Sequence, residues 1–144
     1  MPERIVVDAS LGLKWVLQEE YSDRAAALGP GRELLTSALF WVESGNVIAT
    51  RVRRGELDRA SGDAALRDLT AVPMRTRPLD AAAVVSALAI AHELSHPIYD
   101  CCYLALAIEA DAVVVTADRR FHSAVAAHPS LAGRVVLLHD PSVQ

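Results

Sequence analysis

The chain has 144 residues, a length that fits one domain and allows a core without disulfide staples. Hydrophobic residues make up 52% and charged residues 22%, which excludes a disordered chain. A net charge of -4 and a pI near 5.7 exclude a protein that grips nucleic acid by bulk charge, but not one that touches a few phosphates locally.

The start, Met1-Pro2-Glu3-Arg4, leads into a short apolar run and predicts no secretory leader. Ile5-Val6-Val7 is β-branched and reads as a buried strand ending at Asp8. Asp8-Ala9-Ser10 supplies helix-start chemistry before a helix over Leu11–Gln18. Tyr21–Leu28 is a second short helix, stopped by Gly29-Pro30-Gly31, and Leu34-Leu35-Thr36 is a weak strand. Helical periodicity covers Leu39–Arg54 up to Gly55, and a further helix covers Glu56–Leu69, ended near Pro73. Asp80–Leu94 is an alanine-rich helix with Asp80 as its cap and Pro97 beyond its end. Its segment Ala81–Ala91 is the longest nearly apolar run, too short to cross a bilayer and interrupted by Ser86. Asp100–Glu109 is a helix, Ala112–Thr116 a strand, Arg119–Ala127 a short helix and Val135–Leu138 a last strand; the residues after Asp140 read as a short tail. Strands separated by helices predict an α/β fold with a central parallel sheet between helical layers.

Cys101 and Cys102 are neighbours, a poor arrangement for an ordinary disulfide, so a reducing cytoplasm is the expected compartment and helix packing their expected role. Trp15, Phe40 and Trp41 read as core. Of the 14 basic residues only Lys14 is a lysine. Arg51, Arg53 and Arg54 read as a solvated helix end, while Arg119 and Arg120 stand open between that reading and contacts to phosphate.

Four acids stand out. In a parallel α/β sheet, ligands bind beyond the carboxyl ends of the strands, where Asp8 and Asp118 both fall. Glu43 lies on a helix face with Leu39, Phe40 and Val47, and Asp100 opens a helix whose same face carries Leu104, Ala107 and Ile108. Each has an ordinary reading: Asp8, Asp100 and Asp118 as helix caps, Glu43 as the partner of a buried arginine. Together they imply more. Clustered carboxylates raise one another's pKa and call for a cation, and an oxygen-only donor set favours Mg2+ or Mn2+ over zinc. Such a site suits phosphodiester hydrolysis, in which the metal activates water and neutralises phosphate charge.

Four stretches carry a family resemblance. They are Val6-Val7-Asp8-Ala9-Ser10 with Leu13-Lys14-Trp15; Glu43-Ser44-Gly45-Asn46-Val47-Ile48; Tyr99-Asp100-Cys101-Cys102-Tyr103-Leu104-Ala105-Leu106-Ala107; and Val115-Thr116-Ala117-Asp118-Arg119-Arg120-Phe121. In this order, over Ile5 to Leu138, the chain resembles the PIN-domain ribonucleases, and most of all the VapC-type toxins of toxin–antitoxin pairs. The resemblance implies a single PIN-like domain over 1–144, an α/β/α sandwich. It implies a catalytic set of Asp8, Glu43, Asp100 and Asp118. Asp8 and Asp100 would be the firmest metal ligands, with Asp118 and Glu43 completing the site partly through water. Ser10 and Thr116 would be polar supports, Asn46 would flank Glu43, and Arg119 would face substrate. It implies Mg2+-dependent RNA cleavage, with Mn2+ as a substitute, a homodimer, and a small VapB-type antitoxin as partner. Ser37 departs from the family, which often carries a proline shortly before the glutamate's helix.

Rival readings make different predictions. His92-Glu93-Leu94-Ser95-His96 matches the zinc-protease pattern H-E-x-x-H. Pro97 follows at once, and His122, His128 and His139 are too scattered to offer a third ligand, so the pair reads as two surface histidines near a helix end. A phospho-accepting signalling domain would need a second acid beside Asp8 and a lysine after a late strand; Val7 and Ala9 flank Asp8, and Lys14 is far from any late strand. A non-cutting RNA-binding module remains, with no residue missing from the acid set to favour it.

Overall fold

The computed structural model describes residues 2–140; the tail expected after Asp140 lies outside the described residues. The elements are β1 (Arg4–Val7), α1 (Ala9–Gly12) running into a 3-10 turn (Leu13–Trp15), α2 (Ser22–Leu28), β2 (Glu33–Ser37), α3 (Leu39–Arg53), α4 (Arg59–Thr70), β3 (Met74–Arg77), α5 (Ala81–Leu94), α6 (Ile98–Ala110), β4 (Val113–Thr116), α7 (Arg119–Ala126) and β5 (Val135–Leu137). The five strands form one parallel sheet in the order β3-β2-β1-β4-β5.

The inner strands behave as their sequences predict. Ile5, Val6 and Val7 of β1, and Val114 and Val115 of β4, are fully buried, because a parallel strand covered on both faces reads as a continuous apolar run. Each such side chain contributes roughly 1.5–3 kcal/mol by leaving water. Phe40 is also fully buried and packs against α1. A Cβ on Gly12 would stand 2.5 Å from two atoms of its ring, so only glycine permits that approach. Trp15 and Trp41 are partly buried against the core, their indole N–H groups bonded to Ala25 O at 2.7 Å and Thr76 Oγ1 at 3.2 Å. Cys101 and Cys102 are free and buried.

Several boundaries differ from expectation. Strand β3 has no clear sequence signal: Met-Arg-Thr-Arg on the sheet's edge is mostly exposed, so pairing with β2 creates it rather than an apolar pattern. The helix expected over Leu11–Gln18 begins at Ala9 and tightens into a 3-10 turn after Gly12. The helix expected from Glu56 starts at Arg59, because Asp58 caps it through Ser61 N at 2.7 Å. Helix α6 starts two residues before Asp100, with Pro97 at its cap, so Asp100 sits in its first turn rather than capping it. Asp80 caps α5 as expected, accepting from Ala83 N at 2.9 Å. Ser37, which stands where a proline was expected, turns the chain into α3 by accepting from Leu39 N at 3.2 Å. No single described helix is long and apolar enough to cross a membrane.

The topology decides where a ligand belongs. From β1 the chain builds outward through β2 to β3, then crosses back to place β4 on the other side of β1. The order therefore reverses between β1 and β4, and ligands of such sheets bind beyond the carboxyl ends of the strands at that reversal.

Candidate active site

Asp8 leaves β1 and Asp118 follows β4, so the two strands flanking the reversal deliver one acid each. Asp8 is 4% exposed. Its Oδ1 accepts from Ser10 Oγ at 2.7 Å and from Leu11 N at 2.9 Å; its Oδ2 accepts from Thr116 Oγ1 at 2.5 Å. All three donors are neutral. Burial pushes its carboxyl up to about 6; the hydrogen bonds from Thr116, Ser10 and Leu11 oppose the shift, and Asp100 adds to it.

Ser10 and Thr116 join the two loops. Ala117 N donates to Ser10 Oγ at 3.0 Å and Asp118 N to Thr116 Oγ1 at 3.1 Å. Each hydroxyl directs its single proton at Asp8 and accepts from the loop after β4. Asp118 is exposed and caps α7, accepting from Phe121 N at 3.1 Å. The cap reading of Asp8 and Asp118 is thus correct, and it does not compete with a role in a site, since a helix start at a strand's end is where a site acid belongs in this topology.

Glu43 and Asp100 come from helices. Glu43 is half-buried on α3, and Tyr103 of α6, itself buried, donates its hydroxyl to Glu43 Oε1 at 2.6 Å. No arginine fills that place. Burial raises Glu43's carboxyl, Tyr103 lowers it, and Asp100 raises it further. Asp100 shares a 2.7 Å hydrogen bond between its Oδ2 and His96 Nε2. Burial raises its carboxyl, His96 opposes, and Asp118 adds to the rise. Asp100 is therefore the common neighbour, felt by Asp8 and Glu43 and feeling Asp118.

The acids share an electrostatic neighbourhood but not a ready-made cage: among the described residues no three His, Cys, Asp or Glu side chains are grouped to hold an ion as they stand. The donor chemistry still fits a hard cation. Mg2+ takes one or two protein carboxylates and completes its shell with water and phosphate oxygens, so no trio is required.

The remaining expected residues divide. Asn46 is exposed on α3, and Arg119 is exposed beside Asp118. Along the expected inward stripe of α6, Leu104 and Ala107 are buried but Ile108 is 39% exposed; on α3, Val47 is 36% exposed. Arg51 is not merely solvated, since it pairs with Glu19, which also takes Lys14 at 3.5 Å. That pair commits the only lysine away from a phospho-acceptor role.

The zinc pattern comes apart. Helix α5 ends at Leu94 and Ser95 turns left-handed, so His96 leaves the helix that carries His92. His92 is exposed, Glu93 bonds His128 at 2.9 Å, and His96 turns inward with a side chain 6% exposed. His96 is therefore no surface histidine. Sequence reasoning missed Tyr103 and His96 as partners of the acids. The signal for His96 was its spacing four before Asp100, obscured by the intervening Pro97.

A family model for the PIN domain matches residues 5–126. The chain belongs to the PIN-domain family. No curated protein matches its sequence. Among solved structures, this PIN domain is similar to PAE2754 from Pyrobaculum aerophilum, at 20% identity and a TM-score of 0.71 over 94% of this chain and 83% of that one. It is similar to VapBC2 from Rickettsia felis, a structure bound to a DNA fragment from its promoter, at 11% identity and a TM-score of 0.64 over 93% and 96%. It is similar as well to VapC20 of Mycobacterium tuberculosis, described as a sarcin-ricin loop cleaving toxin, at 17% identity and a TM-score of 0.65 over 83% and 94%. At these identities the likeness is one of fold.

Proposed function

We propose that this PIN-domain protein is a Mg2+-dependent endoribonuclease, hydrolysing RNA phosphodiester bonds as the cytoplasmic toxin of a toxin–antitoxin pair. One observation carries the proposal. Asp8 lies at the reversal of strand order, buried among neutral donors, and Asp100 bears electrostatically on it and on Glu43 and feels Asp118. A buried carboxylate that no arginine or lysine hydrogen-bonds is costly, and a cation drawn from solution offsets that cost.

When bound, Mg2+, or Mn2+ in its place, supplies Lewis-acid activation of water and neutralises charge on the phosphate oxygens. Asp8 and Asp100 would hold it, and Glu43 and Asp118 would complete the site partly through water. Ser10 and Thr116 fix both oxygens of Asp8 so that the carboxylate does not rotate away. Tyr103 orients Glu43 in the same way. Arg119, exposed beside Asp118, faces the RNA phosphate, and Asn46 flanks Glu43 from the exposed side of α3.

The partner in this reading is a small VapB-type antitoxin, supported by the likeness to the R. felis VapBC2 structure. A second copy of the chain is the other partner. Val84, Val85 and Leu88 lie 39–68% exposed on α5 and offer an apolar face for it. Free, buried Cys101 and Cys102 fit a reducing compartment.

The test is cleavage of total bacterial RNA by protein purified without a partner, in Mg2+, Mn2+, Zn2+ or chelator. Cutting in Mg2+ and Mn2+ that stops with chelator is expected. Cutting that persists in chelator, or occurs with Zn2+ alone, overturns the proposal.

A further inference from the structure

His96, left over when the zinc pattern dissolves, sits beside the acid cluster rather than outside it. Its backbone is held from both sides. Ser95 before it is left-handed at φ 50°, its own N–H donates to Ala91 O at 3.2 Å, and Pro97 after it caps α6 at φ -55°. Its side chain is 6% exposed and its Nε2 lies 2.7 Å from Asp100 Oδ2. The imidazole also stacks on Phe121, with ring centroids 5.4 Å apart and planes inclined by 28°. Phe121 is fully buried, and its N–H is the one capped by Asp118. One ring therefore links Asp100 on α6 to the turn of α7 that Asp118 caps.

We propose that His96 is a positioning residue that holds the Asp100 carboxylate in its metal-binding orientation by the Nε2–Oδ2 hydrogen bond, with Phe121 fixing the plane of the imidazole. The inference rests on the metal-dependent reading above. The bond engages Oδ2 alone and leaves Oδ1 outside it. Apart from His96, the charged neighbours of this first-turn aspartate are carboxylates, Asp118, Asp8 and Glu43, which repel it, so the His96 hydrogen bond is what favours one of its staggered rotamers. Outer partners of this kind, when removed, typically cost about 10–100-fold in metal affinity or activity.

The test compares the wild type with His96→Ala and His96→Gln. Gln keeps an N–H near the position of Nε2 but cannot stack as imidazole does. Mn2+ affinity is measured by calorimetry and by the Mn2+-induced rise in Tm, with far-UV circular dichroism as the check on folding. In the same preparations, kcat and KM for RNA are read separately. His96→Ala is expected to weaken Mn2+ binding about 10–100-fold and to lower kcat more than it raises KM for RNA. His96→Gln is expected to recover most of both. Wild-type Mn2+ affinity in folded His96→Ala overturns the inference alone. So does an equal loss in both variants that follows their Tm, which makes His96 only a packing residue. Failure of the wild type itself to bind Mn2+ overturns the metal-dependent reading and this inference with it.

Discussion

Strand β1 ends in two opposite electrostatic worlds. At its start, Arg4 faces Glu33 at the start of β2, bonded at 2.9 Å, and Arg75 reaches the same carboxylate at 3.3 Å. Arg4 holds Glu33's exposed carboxyl below the usual carboxylate range. Along the same edge Arg134 pairs with Asp111 at 3.2 Å. Four residues after Arg4, at the strand's other end, Asp8 is buried, answered only by hydroxyls and an amide, and pushed up to about 6. At the amino edge Glu33 and Asp111 are paired with arginines; at the carboxyl edge Asp8 is hydrogen-bonded only by neutral groups. The first arrangement holds a surface together, and the second is poised for a ligand.

The largest effect should come from removing charge at the carboxyl edge. Asp8→Asn and Asp100→Asn are each expected to lower RNA cleavage by at least about 100-fold, comparable to losing a principal electrostatic group in other sites. Both should keep the wild-type circular dichroism spectrum. A folded Asp8→Asn enzyme that still cuts breaks the contrast between the edges.

Next comes the support of Glu43. Tyr103→Phe removes one hydroxyl and keeps the ring, and is expected to cost about 10-fold in cleavage with little change in Tm. Unchanged cleavage would make Tyr103 a core residue only.

The pH dependence follows from Asp8. Its folded pKa, about 6, lies above the ordinary 3.8. As pH rises the unfolded chain releases this proton first, so the folded state is favoured most below 3.8 and loses that advantage as pH climbs through about 6. In chelator, urea melts should show roughly 1 kcal/mol less stability at pH 7 than at pH 5 from this group. Glu43 and Asp100, raised mainly by burial, act in the same direction. Asp8→Asn should flatten the profile, and Mn2+ should restore stability at pH 7. A profile that rises from pH 5 to 7 would place the buried charge elsewhere.

The smallest effect belongs to the amino edge. Glu33→Gln breaks two exposed ion pairs, and should leave cleavage unchanged and shift Tm less than any variant above. A loss of cleavage there would erase the distinction between the two edges.

Where the acids stand was legible because their spacing is local to each element: Asp8 directly after a β-branched run, Asp118 two residues after Thr116, Glu43 within a helix. The PIN family followed from those stretches in order, and the family match bears it out. The inner strands were legible for the same local reason, as unbroken apolar runs. What stayed hidden depended on neighbours distant along the chain. β3 exists because β2 offers it a ladder. Asp58 was overlooked as a cap, so the start of α4 was placed early. Tyr103 drew no reading of its own because its partner is 60 residues away, and His96 read as a surface residue because a proline stands between it and Asp100.

Sequence alone determined which residues carry the charge and that strands and helices alternate, since propensity, periodicity and capping act within a few residues. Only the tertiary structure decided that the strand order reverses between β1 and β4, that Asp100 bears electrostatically on Asp8 and Glu43 and feels Asp118, and that hydroxyls, a phenol and an imidazole hydrogen-bond Asp8, Glu43 and Asp100 in place of arginines. Those outcomes depend on which surfaces meet when the sheet is covered on both faces, and burial, not composition, then sets the electrostatics of each carboxylate.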